Sequence, residues 1–250
     1  MSNSVAIIIN SCYKFHKSTI EHIINSAKIA QIPSQNIYIV VGESDEETDI
    51  IKENDYNIVY CKFVNIDYNG IIYFTQTERG LNELKKYTHF FYMHDTCLFK
   101  DFFWDKIVNY SKDCNEYIKL ENIWTKNIGL FNVNWFIENK KDLFKHFINY
   151  DKELALTYKK GDFPNKDFIY YSFNCLLPEF LCEDSVFSFE RNNENGYIDP
   201  IGTTFKNDDK PRYFVSMYNQ DQRLATEYNE PGIIKYQKNW GNVNPSPLDL

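Results

Sequence analysis

Glycine and proline are scarce in this chain, at 9 and 8 among 250 residues. Neither G-x-x-x-x-G-K-S/T nor G-x-G-x-x-G occurs. Those patterns let backbone amides wrap a phosphate, and their absence argues against P-loop nucleotidyl transfer. A methyltransferase would likewise want glycines after its first strand, where this chain has Asn10-Ser11-Cys12-Tyr13-Lys14-Phe15. Basic residues are in deficit, with 27 Lys and Arg against 35 Asp and Glu and a net charge of −8. A nucleic-acid groove needs a basic face, so no nucleic-acid partner is expected. No apolar run approaches the roughly 20 residues of a membrane span. The first ten residues lack the basic start and long apolar stretch of a signal peptide. The expectation is a soluble cytoplasmic protein without an integral membrane segment. None of the six cysteines forms a C-x-x-C pair or zinc-finger spacing, which reads as reduced, buried thiols.

What is present is apolar and aromatic. Hydrophobic residues make up 43% of the chain and aromatic ones 17%, enough for one large domain. Val5–Asn10, Ile37–Val41, Asn57–Val64 and Ile128–Val133 read as strands. Ser18-Thr19-Ile20-Glu21 fits a capping box before Ile20, Ile23, Ile24 and Ala27, which recur at helical spacing. Gly70 to Lys86 reads as a helix broken softly at Gly80, Phe102–Ser111 as a helix facing inward through Phe103, Ile107 and Tyr110, and Glu138–Tyr150 as an amphipathic helix. The β-α-β opening predicts parallel neighbours with a right-handed crossover. From about Asp208 the chain turns rich in Asn, Pro and Tyr. The organisation expected is a catalytic domain over 1–207 and an extension over 208–250, packed on it or acting as a lid.

Among these segments, Phe90-Phe91-Tyr92-Met93-His94-Asp95-Thr96 stands out as an apolar strand ending in acid. In open α/β sheets, ligands bind outside the carboxyl ends of the strands. Asp95 is therefore the leading candidate functional residue, with helix N-cap as its structural alternative. His94 is either a metal ligand or a structural imidazole pointing into the core. Arg79 either binds phosphate or pairs with Glu83 at i,i+4. Cys12 has His16 nearby, but no nucleophile–base arrangement is readable around it.

The order of these pieces resembles the GT-A glycosyltransferases, which use nucleotide sugars; the resemblance covers roughly residues 4 to 190. Ile7-Ile8-Ile9-Asn10-Ser11-Cys12-Tyr13 looks like that family's opening strand and nucleotide loop. Ile37–Val41 with Gly42, Glu43 and Ser44 looks like its second strand and base-contacting loop. Asn69-Gly70 and Arg79-Gly80-Leu81-Asn82 look like the helix before the acidic motif. His94-Asp95-Thr96 stands in the place of Asp-x-Asp, with one carboxylate where the family usually has two. Lys126 to Phe131, with Gly129, looks like the later strand beside the sugar, and Glu183-Asp184 like the pair holding the catalytic base.

The resemblance implies a Rossmann-type α/β/α sandwich with a mixed, mostly parallel central sheet and a C-terminal extension. It implies transfer of a sugar from a nucleotide-sugar donor to a hydroxyl on a carbohydrate or protein acceptor. Asn10, Ser11, Tyr13, Glu43, Arg79, His94, Asp95 and Gly129 would bind the donor. Asp95 would hold Mn²⁺ or Mg²⁺, and Asp184 or Glu183 would be the base. In the extension, Lys235 could reach the diphosphate, while Tyr236 and Trp240 either stack on a ligand or pack the tail. The chemistry explains these residue types: a nucleoside diphosphate leaves with concentrated negative charge, which a cation neutralises. The acceptor hydroxyl must lose its proton to a carboxylate. The missing second acid keeps a non-catalytic nucleotide-sugar or glycan-binding module open as the alternative.

Overall fold

The computed structural model describes residues 4–14, 16–63, 68–119, 128–144, 225–228 and 231–236. The chain opens on β1 (Val5–Cys12), whose first seven residues are buried. Helix α1 (His16–Ile29) follows, then β2 (Ile37–Gly42), a two-residue β3 (Ile51–Lys52) and β4 (Asn57–Tyr60). Two short helices, α2 (Asn69–Gln76) and α3 (Glu78–Leu84), lead into β5 (His89–His94). Beyond it lie β6 (Cys97–Phe99), α4 (Phe103–Tyr110), β7 (Tyr117–Lys119), β8 (Gly129–Asn132) and α5 (Val133–Phe144), with β9 (Ala225–Tyr228) and β10 (Ile233–Tyr236) near the end.

Seven strands form one sheet in the order β3-β4-β2-β1-β5-β8-β7. The four central strands β4, β2, β1 and β5 run parallel, while β3, β8 and β7 join antiparallel. The fold is thus α/β with a mixed sheet, as expected. The continuous burial of β1 and β2 follows from cover on both faces. One core cluster joins Ile7, Ile9, Phe91 and Met93 to Ile23, Ile24 and Ala27 of α1 and Phe103 and Ile107 of α4. The other joins Ala6, Ile8, Phe90 and Tyr92 to Ile71 and Phe74 of α2, Leu84 of α3 and Phe136 of α5. The alternation along β1 and β5 divides odd from even residues because successive side chains point to opposite faces. Much of the aromatic content is spent here: Phe90 stacks on Phe131 at 5.1 Å, Phe136 meets Phe90 edge-on at 5.1 Å, and Phe91 meets Phe103 at 5.0 Å.

Several boundaries differ from expectation. α1 starts at His16, not at a Ser18 cap, because His16 Nδ1 already closes the turn onto the Tyr13 carbonyl at 2.8 Å. The break between α2 and α3 falls at Thr77, not Gly80. Thr77 Oγ1 donates to the Tyr73 carbonyl and accepts the Gly80 amide, ending one helix and capping the next. Gly80 instead lets the helices touch: a Cβ there would stand 2.3 Å from the Tyr73 carbonyl oxygen. α5 begins five residues before Glu138, at Val133. β6 pairs antiparallel with β10, and β10 with β9, making a second three-stranded sheet. Residues 225–228 and 231–236 therefore join the body directly beyond Asp95. Among the described residues, no helix is long and apolar enough to cross a membrane.

Candidate functional site

β1, β2 and β5 end together, and the candidate residues cluster at that edge. The β1–β5 register sets Asn10 beside His94. One residue further, the Asp95 amide donates to the Asn10 carbonyl at 2.9 Å, and the Ser11 hydroxyl donates to Asp95 Oδ2 at 2.7 Å. Asp95 occupies the turn between β5 and β6 and does not cap a helix; α4 begins eight residues later. The sequence suggested a carboxylate meeting solvent, yet Asp95 is only 2% exposed. A buried carboxylate demands hydrogen-bond partners, and Ser11 supplies one.

Asn10 and His94 lie on the opposite face from Ser11 and Asp95. Asn10 Oδ1 accepts the Gly70 amide at 3.0 Å, capping α2 from a different element where Tyr68 gives no side-chain cap. Gly42 leaves room for this packing, since a Cβ there would overlap Asn69 within 2.0 Å. His94 follows Tyr92 on the α2 face, with ring centroids 6.3 Å apart, and is buried. The alternation separates the imidazole from the Asp95 carboxylate, so adjacency in sequence does not make them a pair of ligands.

The rim of the edge comes from the loops after β1 and β2. Tyr13 is 54% exposed, and its amide donates to the Gly42 carbonyl at 2.9 Å. Glu43 has φ 62°, a left-handed conformation uncommon for a residue with a side chain and concentrated at functional sites. Its amide donates to the Phe63 carbonyl at 2.9 Å. Gly129 opens β8 opposite Tyr92, which brings it to the same end of the sheet. Lys235 lies in β10 at the register of Cys97, two residues past Asp95.

Arg79 stands apart from this cluster. It forms an ion pair with Asp49 on the loop flanking β4, not with Glu83, which accepts from Lys86 at 2.7 Å and from the Tyr38 hydroxyl at 2.7 Å. Glu183, Asp184 and Trp240 lie outside the described residues, as do Cys175 and Cys182. The described cysteines are free thiols. Burial pushes Cys61 and Cys114 up to about 12, so both are inert at neutral pH.

Among the described residues, no group of three or more His, Cys, Asp and Glu side chains could hold a metal ion. One buried carboxylate, with His94 turned away, does not make a centre for Mn²⁺ or Mg²⁺ by itself. A groove of about 530 Å³ opens between α1 and β3–β4, with Ile20, Ile24 and Ile58 among its lining residues. His16 and Tyr60 line it near the site edge, and the Lys28–Asp55 ion pair, 2.8 Å long, lies at the far end of α1.

No protein-family model matches the chain, and no curated protein matches it. The geometry of this edge therefore carries the functional argument.

Proposed function

We propose that this chain is a glycosyltransferase of GT-A type, moving a sugar from a nucleotide-sugar donor to a hydroxyl of a carbohydrate or protein. The observation that carries the reading is the Ser11–Asp95 hydrogen bond at 2.7 Å. It joins the first-strand loop to the acid at the carboxyl ends of parallel strands, where open α/β sheets bind ligands. Tyr13 and Glu43 follow the ends of β1 and β2, Gly129 opens β8 at the same end of the sheet, and β10 pairs with β6 two residues past Asp95.

In this reading Ser11 orients the Asp95 carboxylate. Tyr13 offers an exposed ring and Glu43 an acceptor toward the nucleoside. The glycosidic bond to the diphosphate breaks as the acceptor oxygen forms its bond to the sugar, and Asp184 or Glu183 takes the acceptor proton. Asp95 would hold a divalent cation brought with the donor's phosphates; that cation, or Lys235, would meet the leaving-group charge. The alternative, a nucleotide-sugar or glycan-binding module without turnover, rests on the single acid of His94-Asp95-Thr96 where the family usually has two.

Release of nucleoside diphosphate from a panel of nucleotide sugars, with and without Mn²⁺, separates the two. Asp95→Asn keeps the shape and can still accept from Ser11, so it should fold normally. It is expected to lower turnover by about 100-fold or more, the scale for losing one group that stabilises transition-state charge. Turnover at the wild-type rate would remove Asp95 from the mechanism. Binding without any turnover would establish the module.

A further inference from the structure

His16 is 2% exposed, whereas Tyr13, one turn earlier, is 54% exposed. The buried imidazole is bonded to the backbone of the exposed tyrosine and lies beside its ring. His16 Nδ1 lies 2.8 Å from the Tyr13 carbonyl oxygen. A carbonyl only accepts, so Nδ1 carries the proton. In the neutral ring Nε2 is then the acceptor, and the Tyr60 hydroxyl stands 3.4 Å from it as donor. The His16 ring is edge-on to Tyr60 at 5.5 Å and tilted 37° to Tyr13 at 5.5 Å. With its own amide on Gly42, Tyr13 is tied to β2 through its N–H and to the first residue of α1 through its carbonyl. It sits two residues after Ser11, whose hydroxyl is bonded to Asp95.

We propose that His16 is a positioning residue, which fixes Tyr13 at the rim of the Ser11–Asp95 cluster as a flat face for a nucleobase. The inference rests on the nucleotide-sugar reading above. His16 itself touches no ligand; it acts through the Tyr13 carbonyl and ring. A loop left free would lose conformational freedom on binding, and the tether on the Tyr13 backbone removes that cost beforehand.

The test is calorimetric titration of the full chain with UDP, CDP and GDP in the presence of Mn²⁺. His16→Phe keeps a ring and removes both nitrogens. His16→Asn places an amide N–H near the Nδ1 position, while His16→Gln places one near Nε2. For whichever nucleotide binds, His16→Phe and His16→Gln should weaken affinity about tenfold, within the range for one base–aromatic stack. His16→Asn should restore most of it. Tyr13→Ala should lose at least as much, and adding His16→Phe to Tyr13→Ala should cost nothing more. Wild-type affinity in His16→Phe, or a loss that adds fully to that of Tyr13→Ala, overturns the proposal. Should His16→Phe not fold, equal binding by the Asn and Gln variants overturns it as well. If none of the three nucleotides binds the wild type, the nucleotide-sugar reading falls and takes this inference with it. Binding that is indifferent to His16 removes this inference alone.

Discussion

Two imidazoles other than His94 carry the clearest pH dependence at the scale of single residues. Burial lowers the pKa of His16 below 6.5, outweighing its bond to the Tyr13 carbonyl. Burial does the same at His89, whose Nε2 lies 2.7 Å from the Cys114 carbonyl. The unfolded chain therefore takes up protons near pH 6.5 that the folded chain refuses. Stability is expected to fall as pH drops from about 6.5 toward the folded values, because the unfolded state binds more protons in that window. Urea unfolding at pH 7.5 and 5.5 checks this. In His89→Asn the slope should be shallower, and an unchanged slope would contradict the assignment. Asp95 shows how far a residue can be read from sequence. Its place at a strand end was legible because the apolar run stops there. Its burial was not, because the Ser11 hydroxyl that covers it comes from 84 residues away. His16 shows the same limit: the sequence sets it beside Cys12 and at i,i+3 from Tyr13, but its partner on β4, Tyr60, comes from 44 residues away.

Local sequence marked most elements, and contacts between elements moved their ends. The strands with unbroken apolar runs, β1, β2 and β5, were legible almost to the residue. The α2–α3 break was legible as a break, but glycine drew attention from Thr77, whose hydroxyl does the capping. β3, β6 and β7 are two or three residues long and have no period of their own, so only tertiary pairing reveals them. Gly80 gives a test of packing against propensity. Alanine is favoured over glycine inside a helix by about 1 kcal/mol, yet here its Cβ would press on the α2 backbone at 2.3 and 2.8 Å. Overpacking against backbone costs about 1–3 kcal/mol, so Gly80→Ala should destabilise by roughly 1 kcal/mol net. A stabilised Gly80→Ala in chemical denaturation would show that the helices can part without cost.

Across the whole molecule, the layered architecture followed from the β-α-β opening, while for the late segment the sequence left packing on the domain and a lid both open. Nothing in Pro231–Tyr236 names β6 as its partner; the pairing comes from an edge left open beyond Asp95. Ile233 is fully buried and belongs to the α1–α4 core. The Gly232 carbonyl accepts from the Lys100 amide at 2.8 Å, and Gly232 holds φ 98°, with the Phe102 ring where a Cβ would lie. Ile233→Ala should therefore cost about 2–5 kcal/mol, as for other core truncations. A loss under about 0.5 kcal/mol, the range of surface substitutions, would mean that β10 is only an appendage.

The central claim is that the edge formed by Ser11, Tyr13, Glu43 and Asp95 binds the nucleotide of a sugar donor. Its most direct test is the melting temperature of the purified chain with UDP, GDP, CDP or CMP, with and without Mn²⁺. A ligand at 100 times its Kd stabilises by about 2.7 kcal/mol, which for a chain of this size is roughly 5–10 °C. One nucleotide is expected to give such a shift, and Asp95→Asn is expected to abolish it. No shift with any of the four, or an equal shift in Asp95→Asn, would contradict the account.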